Sequence, residues 1–152
     1  MAIATALHLL AAVYWVGGMV VMLVAVRPVA VALLDPPLRL PLLSAILSRF
    51  FIGVWVALAI LLGTGLWMLF SAFGGFAHVG VHVHAMLLLF LLMVAIFIYL
   101  FISPYSQLKR ALDAKNFALA GAKMGVIRTL VMTNATLGVI TIIIGGAGRY
   151  LH

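Results

Sequence analysis

Five histidines and eight methionines, in a chain of 152 residues that has no cysteine, set the chemistry available. Thiolate sites, disulfides and iron–sulfur clusters are excluded, so a metal could be held only by imidazole, thioether, tyrosine or one of two carboxylates. His8, His78, His82, His84 and His152 are spaced as one residue near the start, three in a short central stretch and one at the end. Two patterns follow. His8 and His84 each stand a few residues into a long apolar run, the placement needed to hold a flat ligand between two imidazoles from different helices. His78-x3-His82-x3-Met86 would put two imidazoles and a thioether on one helical stripe, with His84 beside it, and soft thioether with imidazole suits copper.

The elements that position these residues are membrane helices. The composition is 68% hydrophobic and 7% charged, outside the range of water-soluble domains, and the long runs lack the alternation of a membrane barrel. Four spans are expected, at about 2-26, 50-70, 83-103 and 129-148, in one four-helix transmembrane domain (1-152) of all-α, up-down architecture. A helical extension over Leu40 to Arg49 is expected before the second span. The N-terminus lacks a basic n-region and reads as a retained first helix, not a cleavable signal.

Orientation comes from the basic residues. Arg27, Arg39 and Arg49 lie between the first and second spans; Lys109, Arg110, Lys115, Lys123 and Arg128 lie between the third and fourth. Both connectors are therefore expected in the cytoplasm, and both termini outside. The formal charge of +7 sits at the ends of apolar runs and forms no aromatic-interleaved patch, so nucleic acid is not an expected partner. All five histidines then share the outer side. At about 1.5 Å per residue, His8 and His84 lie at matching depths of about 9 Å, on parallel, diagonally opposed helices.

A b-type haem needs two axial nitrogens on opposite faces of an apolar macrocycle, with a cation near its propionates. His8 and His84 are the candidate axial ligands. Along the face of His8 follow Ala11, Ala12, Trp15, Gly18 and Met22, small residues and one indole that leave room for a ring. Arg149 has no acidic partner on its side and is a candidate for the propionates. Against this stands a plain alternative, in which a neutral imidazole near the interface hydrogen-bonds a carbonyl or water. His78 and His152 read as solvated, Asn134 as a helix-to-helix hydrogen bond, and Gly121-x3-Gly125 as a possible homodimer contact.

The run from His8 through Trp15 to Gly17-Gly18 resembles the first-helix pattern of the bacterial copper resistance protein D family. It is also similar to the related four-helix membrane proteins of the haem pathway, including the HemJ-type protoporphyrinogen oxidase. Arg49-Phe50-Phe51 and Gly63-Thr64-Gly65 resemble their second helix, and His84-Ala85-Met86-Leu87 resembles the His-Ala-Lys-Leu opening of the oxidase's third. The resemblance implies a helical bundle in the bacterial cytoplasmic (inner) membrane, with His8 and His84 carried over as haem ligands. Met86 stands where the oxidase has Lys, which removes a charge suited to a porphyrin carboxylate.

The leading expectation is thus a membrane cytochrome with bis-histidine haem b, an oxidoreductase module passing single electrons to an unknown redox partner. Copper binding or transport by His78, His82 and Met86, and porphyrin oxidation, are the alternatives.

Overall fold

The computed structural model describes residues 1–72 and 74–147, so Phe73, Arg149 and His152 lie outside the described residues. Helix α1 runs from Ala2 to Leu33, α2 from Pro36 to Ala72, α3 from Val81 to Ile102, α4 from Pro104 to Asp113 and α5 from Phe117 to Ala147. Four helical segments are long and apolar enough to cross a membrane, with α3 and α4 counting as one. Each helix satisfies its own backbone groups, the condition that hydrocarbon imposes.

The helices outrun the expected spans. The first continues past Val26 to Leu33, the second begins at Pro36, and the fourth begins at Phe117, twelve residues before Thr129. At about 1.5 Å per residue, a helix of 37 residues is about 55 Å long, well beyond a hydrocarbon core of about 30 Å. Apolar content marks the part in lipid, whereas helix propensity and packing carry the coil on into the headgroups.

The connector expected between the third and fourth spans is likewise mostly helical. Pro104 starts α4, which buries Tyr105, Leu108 and Ala111 and leaves Lys109, Arg110 and Asp113 exposed. Lys115 closes it with φ 54°, and the Asn116 side chain accepts from the Leu119 N–H at 3.0 Å to cap α5. Only residues 114–116 remain outside a helix.

Neighbouring helices run antiparallel. His8 near the start of α1 meets Thr64 near the end of α2, and Met86 near the start of α3 meets Gly145 near the end of α5. Helices α1 and α3 are parallel and stand diagonally, meeting through aromatic rings: Trp15, 2% exposed, lies edge-on to Phe90 and Phe97, each at 6.3 Å between centroids. Phe97 in turn stacks edge-on to Phe51 and Trp55 of α2 at 5.4 and 5.1 Å. Two π-helical turns, Val13–Gly17 and Met22–Val26, shift the phase of α1, so that Val16 and Met19 join Trp15 in the core.

Helix α5 packs closely on both diagonal partners. Asn134, buried at mid-helix, donates Nδ2 to the Met93 carbonyl at 3.0 Å, the helix-to-helix bond its position suggested. One turn on, a Cβ at Gly138 would stand 2.6 Å from Val16 Cγ2 and 3.2 Å from Met93 Cε. Val16 is β-branched and cannot swing aside. Gly138→Val is expected to destabilise the bundle by about 1–3 kcal/mol, read as a lower unfolding temperature in detergent. Gly121→Ala, where an added Cβ meets nothing within 4 Å, should leave that temperature unchanged.

Candidate functional site

Above the aromatic layer a cavity of about 230 Å³ opens between α1, α2 and α3. Its volume is many times that needed for a single ordered water. Leu61, Leu69, Leu87 and Phe90 make most of its wall, and Phe76 and Val79 from the α2–α3 connector close over it. His8 and His84 both line this one cavity.

The position of His8 depends on α2. Its Nδ1 lies 2.8 Å from the Thr64 hydroxyl, whose own proton is donated back to the Ile60 carbonyl. With that proton committed, Thr64 Oγ1 can only accept, so His8 Nδ1 carries the hydrogen and Nε2 keeps a lone pair. Gly65 lies against the same ring, where a Cβ would stand in ordinary van der Waals contact with His8 Cε1 at 3.5 Å. His84 repeats the arrangement from α3, its Nδ1 lying 3.3 Å from the Gly80 carbonyl, a group that can only accept. In the neutral Nδ1–H tautomer that these acceptors match, each ring keeps Nε2 available as a ligand.

His84 stands at the mouth. The interior stripe of α3 runs through Met86, Phe90, Met93, Phe97 and Leu100, whereas His84 is exposed and Leu88 and Leu91 on its face point outward. The room expected beneath His8 is filled, because Trp15, Phe90 and Phe97 pack there. The open space lies sideways instead, toward α2 and α3. Trp15 consequently lies beneath the cavity, behind Phe90, and is not part of its lining.

The second pattern is broken by the backbone. His78 ends a 3₁₀ turn, Phe76–His78, and α3 begins only at Val81, so no continuous helical stripe joins His78 to His82 and Met86. His82 folds back over Gly80, where a Cβ would meet its ring at 2.8 Å. Neither lines the cavity, but Met86 does, together with Met68. Among the described residues there is no group of three or more His, Cys, Asp or Glu that could hold a metal ion.

Thr64 and Met68 were not singled out in the sequence. Their signal was a hydroxyl between two glycines in an apolar run, followed at i+4 by a thioether on the same helical face. Thr5 Oγ1 donates to Met68 Sδ at 3.6 Å, tying the start of α1 to the end of α2 beside the cavity.

Residues 44–147 match the family described as Copper resistance protein D. That segment spans α3, α4, α5 and most of α2, including Thr64, Met68, His84 and Met86, and begins downstream of α1 and His8. No curated protein and no solved structure matches the chain. Because the family covers more than half of its residues, this helical membrane protein belongs to the copper resistance protein D family.

Proposed function

We propose that the protein is a small b-type membrane cytochrome that holds one haem between His8 and His84 and moves single electrons. The observation that carries this reading is that two imidazoles from diagonal helices line one apolar cavity, each with its Nδ1 on an acceptor. The donor set fits the group: two imidazoles, each with an acceptor at Nδ1 that leaves Nε2 as the ligating nitrogen, in walls of leucine and phenylalanine.

A haem held there supplies one-electron chemistry, and ligation by two imidazoles favours electron transfer over oxygen activation. The chain's own contribution is orientation and exclusion of water. Thr64 holds the ring of His8, Gly80 holds that of His84, and Leu61, Leu69, Leu87 and Phe90 exclude water. The charge distribution supports an orientation with the arginine end in the cytoplasm and the cavity toward the outer face of a bacterial inner membrane. On that side Arg149 remains the candidate for haem propionates, with an external redox partner and a homodimer as companion proposals.

One observation favours a second reading, copper binding or passage: the thioethers of Met68 and Met86 share the cavity with the two imidazoles, and such a set suits a soft cuprous ion. The family name points the same way. Porphyrin oxidation gains less support, since Met86 stands at the cavity where a charged side chain would serve a porphyrin carboxylate.

Detergent-purified protein is expected to be red, with a Soret band that sharpens and shifts on dithionite. His8→Ala and His84→Ala should each abolish or greatly weaken that band, and His78→Ala should leave it intact. Wild-type reduced spectra in both ligand variants would overturn the haem reading, and colourless protein carrying stoichiometric copper would establish the second. In Thr64→Val the ring of His8 loses its acceptor at nearly constant volume. Haem retention should fall about 10- to 100-fold, and ¹⁵N resonances of labelled histidine should show His8 leaving the Nδ1–H tautomer.

A further inference from the structure

At the opposite, basic end, α1, α2 and α5 draw together around a second, shallow cleft of about 30 Å³. Two arginines on different helices line it, Arg27 of α1 and Arg128 of α5, beside Met22, Leu23 and Met124. The charges acting on Arg27 are both positive, those of Arg128 and of Arg39 at the start of α2. The Arg39 guanidinium donates to the Leu34 carbonyl at 3.4 Å, which leaves most of its donors free. The chain carries nine basic residues and two acidic ones, and neither carboxylate is among the charges acting on Arg27.

Two guanidiniums that line one cleft, with a third near enough for its charge to act on Arg27, repel one another unless an anion lies among them. The surroundings narrow the anion's chemistry. Arg27 lies six residues before the end of its helix, about 9 Å along the axis, and is half-buried, at the height where hydrocarbon gives way to headgroups. The cleft beneath it is apolar and too small for a drug-sized ligand, and its lining of Met22, Leu23 and Met124 is of the kind that hydrocarbon packs against. An anion with a chain attached, at membrane depth, is a phospholipid.

We propose that this cleft is a binding site for an anionic phospholipid, its phosphodiester held among Arg27, Arg128 and Arg39 and its glyceride end resting on Met22, Leu23 and Met124. Guanidinium is suited to phosphate because its planar fork gives two parallel N–H···O bonds. A basic pocket between membrane helices on the cytoplasmic side is where such headgroups are bound. The lipid joins three helices that otherwise carry like charges toward one another, and so acts as a structural clamp on the end of the bundle remote from the histidines.

The test compares spin-labelled phosphatidylglycerol with spin-labelled phosphatidylcholine on the protein reconstituted in phosphatidylcholine bilayers. The wild type should restrict phosphatidylglycerol preferentially, with the preference weakening as salt is raised. Arg27→Gln/Arg128→Gln should lower the relative affinity for phosphatidylglycerol about tenfold, while Lys109→Gln/Lys115→Gln, away from the cleft, should not. Equal restriction of the two lipids by the wild type would overturn the site without recourse to any variant. Selectivity kept at the wild-type level in Arg27→Gln/Arg128→Gln would also overturn it, by showing that the preference for phosphatidylglycerol does not arise at this cleft.

Discussion

The arrangement of this bundle rests on an aromatic layer at its middle. Trp15 of α1, Phe51 and Trp55 of α2, and Phe90, Phe97 and Phe101 of α3 meet edge to face, with centroids between 5.1 and 6.3 Å apart. Rings of this size hold the α2 and α3 backbones apart while filling the space between them. Because lipid tails are as apolar as leucine, helix association in a bilayer depends on packing of this kind and not on hydrophobic burial. Above the layer, where the stripe of α2 changes to Leu61, Gly65 and Leu69, nothing fills the gap, and the cavity is the result.

Two hydrogen bonds order the imidazoles that border that cavity. His8 and His84 spend one ring nitrogen each on an acceptor supplied by the fold, a hydroxyl in one case and a helix-start carbonyl in the other. An imidazole so anchored cannot rotate freely, and both rings border a space with few competing polar groups. The family match covers His84 and its surroundings but not α1. The pairing of the two imidazoles therefore belongs to the whole bundle, with one partner outside the matched segment.

The two ends of the molecule differ in kind. The histidine end is open, capped by a connector in which Gly74 and Gly75 adopt positive φ, at 72° and 108°, to turn the chain over the cavity. The basic end is closed by α4, whose Tyr105 and Leu108 are almost wholly buried, and by the convergence of α1, α2 and α5. A bundle clamped at one end and spread at the other can hold a ligand without surrendering its core.

Much of this was legible in the residues alone. Hydrophobic runs with charges only at their ends determine membrane helices and their number, since only helices and closed barrels satisfy backbone groups in hydrocarbon and these runs lack the alternation of a barrel. That His8 and His84 stand at one end of the bundle follows from counting residues along the helices, and Asn134 as an interhelical donor follows from its depth. Helix ends were not legible, because α1 and α5 continue beyond the apolar runs that mark lipid. Nor was the direction of the open space. A face of small residues beneath His8 suggests room there, yet bulky rings from α3 occupy it, and π turns in α1 shift the phase on which the reading depends. Thr64 behind His8, Gly80 behind His84 and Met68 at the cavity wall come from segments distant in sequence or outside the helical pattern. Sequence periodicity determines which face of a helix turns inward; which residue of another helix it meets is decided by crossing geometry and ring packing, and these exist only once the helices are assembled.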